Sequence, residues 1–365
     1  MRTRPRSVSA LPLVFATLLA PFVLVGCDSR SPTGGNRSFN TSNCTIPVAQ
    51  LQRGCGGGAD CIPSIDDVSP GDDRLVAAEA ANSLADSNRV IGLVVGGQAL
   101  AVPHSILWTH EIVNLDGWGG PPLAVTYCPL TGSSLAFDRS TIDGAEFGVS
   151  GLLFENNLVM YDRREDESLW PQMNRQANCG ATVGTTLDMF PVVEMRWFRW
   201  KALHPDTKVV SDGNGFNRQY PYRNYEALNS PPFDGSSFDD RRPPKERVLG
   251  IPAGPDGGIA LPFRALSAAG PMQVVTVAVG GTQATVFWSR DAQSAMAFET
   301  SDAFSVQNGT IVDDETGSTW SVDGVAIDGP REGERLEPTN EAYVAFWFAW
   351  AEFQPETQLW TNDTG

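Results

Sequence analysis

The sequence predicts an α+β, strand-dominated fold: two tandem pseudo-repeats of short strands, each closed by an aromatic helix, packed into one globule. Three observations predict it. From Val90 onward, short apolar runs alternate with Gly, Pro, Asn and Asp punctuation, the texture of strands and turns. The region after 248 repeats the plan of the region after 90. Val90-Ile91-Gly92 and Ala101-Val102-Pro103 are echoed by Val248-Leu249-Gly250 and Ala260-Leu261-Pro262. Ser133 to Phe137 is echoed by Ser294 to Phe298, Ser168-Leu169-Trp170 by Ser318-Thr319-Trp320, and His204-Pro205-Asp206-Thr207 by Gln354-Pro355-Glu356-Thr357. Third, each unit carries one Trp-rich helical stretch, and packing two such units together buries far more apolar surface than either buries alone.

Residues 1–26 form a signal segment. Arg2, Arg4 and Arg6 precede an apolar run from Leu11 to Val25, too short and poorly flanked for a membrane span. The run ends Leu24-Val25-Gly26-Cys27, which resembles the lipobox of bacterial lipoproteins. That resemblance implies cleavage before Cys27, acylation of Cys27, and a stable anchor from more than one chain. Residues 27–61 are a polar tether and a Cys-rich segment. Within it Cys55 and Cys61 flank a flexible glycine loop.

The first repeat unit covers residues 62–215. Ala77 to Ala85 reads as a short helix. Val90–Val95 and Gln98–Val102 flank Gly96-Gly97 as a hairpin, and His104 to Asn114 has helical spacing. Leu123–Cys128 and Ser134–Phe137 are strands around Pro129-Leu130-Thr131-Gly132, and Phe147–Leu153 and Leu158–Tyr161 follow. Glu194 to Leu203 reads as a helix stopped by His204-Pro205. Residues 216–247 form a Pro-rich connector, and the second repeat unit covers 248–365.

The chain holds 26 basic and 43 acidic residues, a net charge of −17. It grows more negative once the leader's arginines are lost, which excludes nucleic acid as a partner. The expected location is the bacterial cell envelope, outside the cytoplasm. Cysteines there tend to pair. Cys44, Cys55, Cys61, Cys128 and Cys179 are odd in number, so at least one is left over.

Residues present in only one unit are released from a shared folding role. Cys128 corresponds to Ser289, His204 to Gln354, Tyr161-Asp162-Arg163 more loosely to Val312-Asp313-Asp314, and all three histidines lie in the first unit. Cys128 ends a strand, where exposed backbone N–H groups can lower a thiol pKa. It reads as a nucleophile, a redox thiol or a soft-metal ligand; a disulfide with Cys179 or an inert buried thiol is the alternative. Catalytic candidates are Cys128, His110 and Glu111, with Tyr161, Asp162 and Arg163 as ligand-binding supports, and the crevice between units is the expected place for a site. Cys128 and His110, with Met160 or Met173, form the alternative copper(I) reading. A third reading is a non-catalytic cell-surface module.

Together these segments resemble a known family. Val90-Ile91-Gly92, His110 to Asn114, Val125 to Gly132, Phe147 to Gly151, Met160 to Arg163, Ser168-Leu169-Trp170, His204 to Thr207 and Pro243-Pro244-Lys245-Glu246-Arg247-Val248-Leu249-Gly250 are similar to the prokaryotic domain-of-unknown-function family 3179, over about residues 62 to 360. The resemblance implies no particular activity. Many of its members carry a second cysteine where Thr131 stands, so a dithiol at Cys128 is not implied for this chain.

Overall fold

The computed structural model describes residues 38–254, 257–339 and 341–362. The leader, Cys27 and the first part of the tether lie outside the described residues. Among the described residues no helix is long and apolar enough to cross a membrane.

The first half begins with a hairpin, β1 (Arg89–Val95) and β2 (Gln98–Pro103), closed by Gly96-Gly97 with both residues at positive φ. A short helix follows, α1 (His104–His110). Next come β3 (Ile112–Leu115), β4 (Leu123–Cys128) and β5 (Ser133–Asp138), an antiparallel meander. A second small sheet holds β6 (Phe147–Phe154), β7 (Asn157–Asp162) and β8 (Ser168–Pro171). The half ends with β9 (Val193–Arg196), α2 (Trp197–Leu203) and β10 (Lys208–Val210). β9 pairs antiparallel with β1, and β10 pairs parallel with β2.

The second half has β11 (Arg247–Pro252), β12 (Gly258–Pro262) and α3 (Phe263–Ala269). β13 (Met272–Val279), β14 (Thr282–Ser289) and β15 (Ser294–Glu299) form its meander. β16 (Phe304–Gln307), β17 (Thr310–Asp313) and β18 (Thr319–Trp320) follow, then β19 (Tyr343–Phe346), α4 (Trp347–Phe353) and β20 (Gln358–Leu359). Here β19 pairs antiparallel with β11, and β20 pairs parallel with β12.

The two halves cross over. β19 bridges to β5 through Val344 and Ser134, so the first half's meander continues into the second half's hairpin within one sheet. The Phe346 N–H donates to the Thr131 carbonyl at 2.8 Å, and the Arg196 N–H donates to the Ala292 carbonyl at 2.8 Å. The cores mix accordingly. One cluster joins Val90, Leu100 and Trp200 to Phe287, Phe298 and Trp320; another joins Cys128, Phe147 and Trp170 to Val248, Phe346 and Trp350.

Local reasons for the shape are shared. The Trp200 indole N–H donates to Thr207 at 3.0 Å and that of Trp350 to Thr357 at 2.8 Å. Each tryptophan ring lies so close to a strand that a Cβ at Gly92 or Gly250 would overlap it. Asp162 accepts from the Ser168 N–H and the Trp170 indole, and Asp313 does the same for Ser318 and Trp320.

Three helices expected from spacing come out differently. Over Ala77 to Ala85 only Ala78–Ala80 forms a 3-10 turn, because no side chain caps it. The helix expected over His104 to Asn114 stops at His110. Glu111 takes a left-handed conformation (φ 58°), and the β-branched pair Ile112-Val113 then enters β3. The stretch Glu194 to Leu203 is half strand, since Glu194, Met195 and Arg196 extend the ladder with β1 before α2 begins at Trp197.

Candidate functional site

Cys128 closes β4, paired with Ser133 across the turn. Among the described residues it is the free cysteine: Cys44 bridges Cys179, and Cys55 bridges Cys61. The disulfide alternative with Cys179 is therefore overturned. Its sulfur sits against the β6–β7 hairpin, accepting from the Leu158 N–H at 3.3 Å and donating toward the Asn156 carbonyl at 3.8 Å. The side chain is buried. Burial, with Glu111 beside it, pushes the thiol up to about 11. The strand-end effect is present, since hydrogen bonds from Thr131 and Leu158 pull the other way, but desolvation outweighs it. The expected low-pKa thiol is thus corrected: at neutral pH Cys128 is a neutral thiol until a base acts on it.

Glu111 turns inward from its left-handed position. It is 6% exposed, and burial raises its carboxyl to about 8, so it holds a proton at neutral pH.

The connector covers this end of β4. The Tyr220 hydroxyl donates to the Pro129 carbonyl at 3.2 Å and the Tyr225 hydroxyl to the Leu130 carbonyl at 2.9 Å. The Asp234 N–H reaches Asn156 Oδ1 at 2.9 Å, beside the carbonyl that meets the Cys128 sulfur. Where the connector returns to β11 it delivers Lys245. That residue is 3% exposed, and its Nζ has no hydrogen-bond partner in the protein. The amine lies 3.7 Å from the Tyr225 ring centroid and 4.0 Å from that of Phe348. Burial lowers it to about 7, with the thiol of Cys128 and the carboxylates of Asp234 and Glu226 acting in the opposite sense. An unpaired buried amine costs about 1–3 kcal/mol or more.

Behind Cys128 lies a buried polar lattice. Thr131 and Ser133 hydroxyls share a 2.8 Å bond, Asn157 donates to Thr131 at 3.0 Å and to Gln172 at 2.9 Å, and Gln172 donates to Thr126 at 2.8 Å. Every member is fully enclosed. Beyond it, Arg89 and Arg247 flank Glu194, which also accepts from Ser134 at 2.7 Å. Burial alone would raise Glu194, but Arg89, His104 and Arg247 bring it down to about 2.

The other candidates are placed as follows. His110 faces away from the thiol: Nδ1 is 2.8 Å from the Pro63 carbonyl and Nε2 is 3.0 Å from Asp212. Both His110 ring nitrogens are thus engaged by groups other than Cys128. Met160 and Met173 share the core cluster of Cys128. Among the described residues no group of three or more His, Cys, Asp or Glu could hold a metal ion. Asp162 is consumed by Arg164, Ser168 and Trp170. Tyr161 and Arg163 meet the N-terminal segment at Asp60, at 2.6 and 3.0 Å. His104 is buried against Tyr127, and burial lowers it to about 3. His204 binds Asp323 at 2.8 Å across the halves.

Sequence reasoning missed Lys245 because it sits in the run Asp240 to Arg247 that reads as a solvated connector. The available signal was its place in the Pro-Pro-Lys-Glu-Arg string of the resemblance.

No curated protein and no solved structure matches this chain. One family does, over most of the length: the chain belongs to the family described as Protein of unknown function (DUF3179), whose sequence model matches residues 59–357.

Proposed function

We propose that this chain is an extracytoplasmic lipoprotein, held to a membrane through Cys27, whose first half carries a covered thiol–amine site. Cys128 is the nucleophile, Lys245 its base, and Glu111 a neutral acid near the thiol. The observation that carries the reading is the Lys245 amine, enclosed without a hydrogen-bond partner on the rings of Tyr225 and Phe348, which pack into the same core cluster as Cys128. Groups buried at such cost gather where chemistry is done. At rest the thiol is neutral, and the amine, lowered to about 7, is free to act as a base in about half of the molecules at neutral pH. In those molecules the amine accepts the thiol proton as the sulfur attacks an electrophile, so no thiolate has to form beforehand in the apolar site. His110, the base suggested by the sequence, is replaced in this role by a residue from the connector.

The two halves are read as diverged copies of one unit. Matching strand partners, matching Trp–Thr and Asp–Trp bonds and the reciprocal crossing bonds support this. The site then belongs to the copy that kept or gained reactive groups.

The test is alkylation of the folded, full-length protein by a small uncharged thiol reagent, followed by intact-mass analysis. Cys128 should label at neutral pH, and Lys245→Met should slow that labelling at least about tenfold. Equal rates in the two proteins would remove Lys245 as the base. For the anchor, Cys27→Ala should move the protein from the membrane fraction to the soluble envelope fraction.

A further inference from the structure

Donors and acceptors beneath the connector are not matched. Lys245 Nζ and Trp108 Nε1 are enclosed N–H groups without a hydrogen-bond partner in the protein. Several acceptors beside the connector already have donors. Pro129 and Leu130 carbonyls take the Tyr220 and Tyr225 hydroxyls, and Glu226 takes both Tyr127 and Arg247 at 3.3 Å. The two free donors border one row of rings. Trp108 meets Tyr220 at 5.2 Å, Tyr220 meets Tyr222 at 5.6 Å, and Tyr222 meets Tyr225 at 6.5 Å, above which Lys245 sits.

A buried donor without an acceptor is a deficit that a ligand can fill. The missing partner must bring oxygen acceptors and little donor capacity. Its body must suit aromatic walls. One amine offers one positive charge, which matches a monoanion better than a phosphate dianion, whose oxygens call for several charged donors. A cation suits the rings but not the amine among them.

We infer that this site takes a small organic carboxylate, its oxygens accepting from Lys245 and its apolar body lying along Tyr220, Tyr222 and Tyr225. This rests on reading Cys128 and Lys245 as a site. Trp108 supplies a second donor farther along the same row. Three titratable groups act on the amine, Cys128 from β4 and Asp234 and Glu226 from the connector, and the rings of Tyr225, Phe348 and Phe346 flank it. Glu226 is already paired to Arg247, and Asp234 is tied to its own turn through Ser236. A carboxylate that enters therefore favours the protonated amine. Binding takes up a proton wherever Lys245 is otherwise neutral, and affinity rises as pH falls.

The experiment is calorimetric titration of the full-length protein with benzoate and with hexanoate, at pH 6.5 and pH 8.5, in buffers of different ionisation enthalpy. Phenyltrimethylammonium is the control of matching bulk and opposite charge. Both carboxylates should bind and protect Cys128 from alkylation. Affinity should be at least about tenfold weaker at the higher pH, with about one proton taken up there. Lys245→Met, with folding checked by its melting temperature, should weaken binding at least about tenfold. Binding of the ammonium compound instead, or no carboxylate binding at about 10 mM, overturns the ligand class. If carboxylates fail while Cys128 labelling still depends on Lys245, the ligand class falls and the thiol–amine reading stands. If they bind while Lys245→Met leaves labelling unchanged, the thiol–amine reading falls instead.

Discussion

The turn after β4 and the turn after β14 occupy corresponding places, and their surroundings differ in kind. In the first half the turn carries Cys128 and Thr131, receives Phe346 of β19 across the halves, and lies under the connector with Lys245 inserted. In the second half Ser289 and Ala292 stand at those positions, and Arg196 of β9 makes the crossing bond. Ser87, two residues before Arg89 as Lys245 is before Arg247, is exposed. The lattice positions Thr126, Thr131 and Gln172 correspond to Phe287, Ala292 and Val322, all within an apolar core. The second turn is packed mostly in apolar side chains, with Ser294 Oγ and Trp288 Nε1 enclosed beside it without hydrogen-bond partners. The other tolerates a neutral thiol, an unpaired amine and a protonated carboxyl in one enclosed place. If the halves are diverged copies, as proposed above, the second turn is a version of the first without these groups, and their place in the first calls for an explanation beyond folding.

The shared features should break the two halves alike. Asp162→Ala and Asp313→Ala each strand a buried backbone N–H and an indole N–H. Each should destabilise by about 3–5 kcal/mol, measured by denaturant unfolding. A large loss from one with little from the other would end the correspondence. Gly92→Ala and Gly250→Ala should cost about 1–3 kcal/mol each, because the added methyl overlaps Trp200 in one case and Trp350 in the other.

The one-sided groups should behave oppositely. Glu111 has a folded pKa of about 8 against 4.5 unfolded, so between those values the folded state keeps a proton that the unfolded state has released. Its contribution is fully present below pH 4.5 and lost as pH rises through 8. Glu111→Gln should therefore match the parent at pH 4.5 and exceed it by about 4 kcal/mol at pH 8.5. Chemical denaturation at the two pH values checks this, and an unchanged pH slope would contradict it. Lys245→Met should raise stability by about 1–2 kcal/mol, since an apolar chain fits the Tyr225 and Phe348 rings without an unpaired amine. A loss of stability would mark Lys245 as a folding residue held by its rings.

Much of the strand order was legible, because β-branched runs and glycine turns write hairpins locally, as at Gly96-Gly97. Cys128 was legible as a candidate thiol at a strand end, but that it, and not Cys179, is left unpaired was not. Its chemistry was not, because burial is a property of the whole core and desolvation reversed the local effect of the turn. Lys245 was illegible for a related reason. Nothing within Pro243 to Arg247 says that one cation of several is folded inward, since the enclosing rings come from Tyr225 and from Phe348, far along the chain. His110 ends helix α1 and its ring nitrogens are engaged by the Pro63 carbonyl and Asp212, while the left-handed Glu111 turns the chain into β3.

The most direct test is the pH dependence of Cys128 alkylation in the folded parent and in Lys245→Met. With Lys245 as base, the parent rate should rise through an inflection near 7 and then level off, while the variant should rise only above pH 9 as its buried thiol ionises. Two superimposable profiles, both rising only above pH 9, would contradict the account.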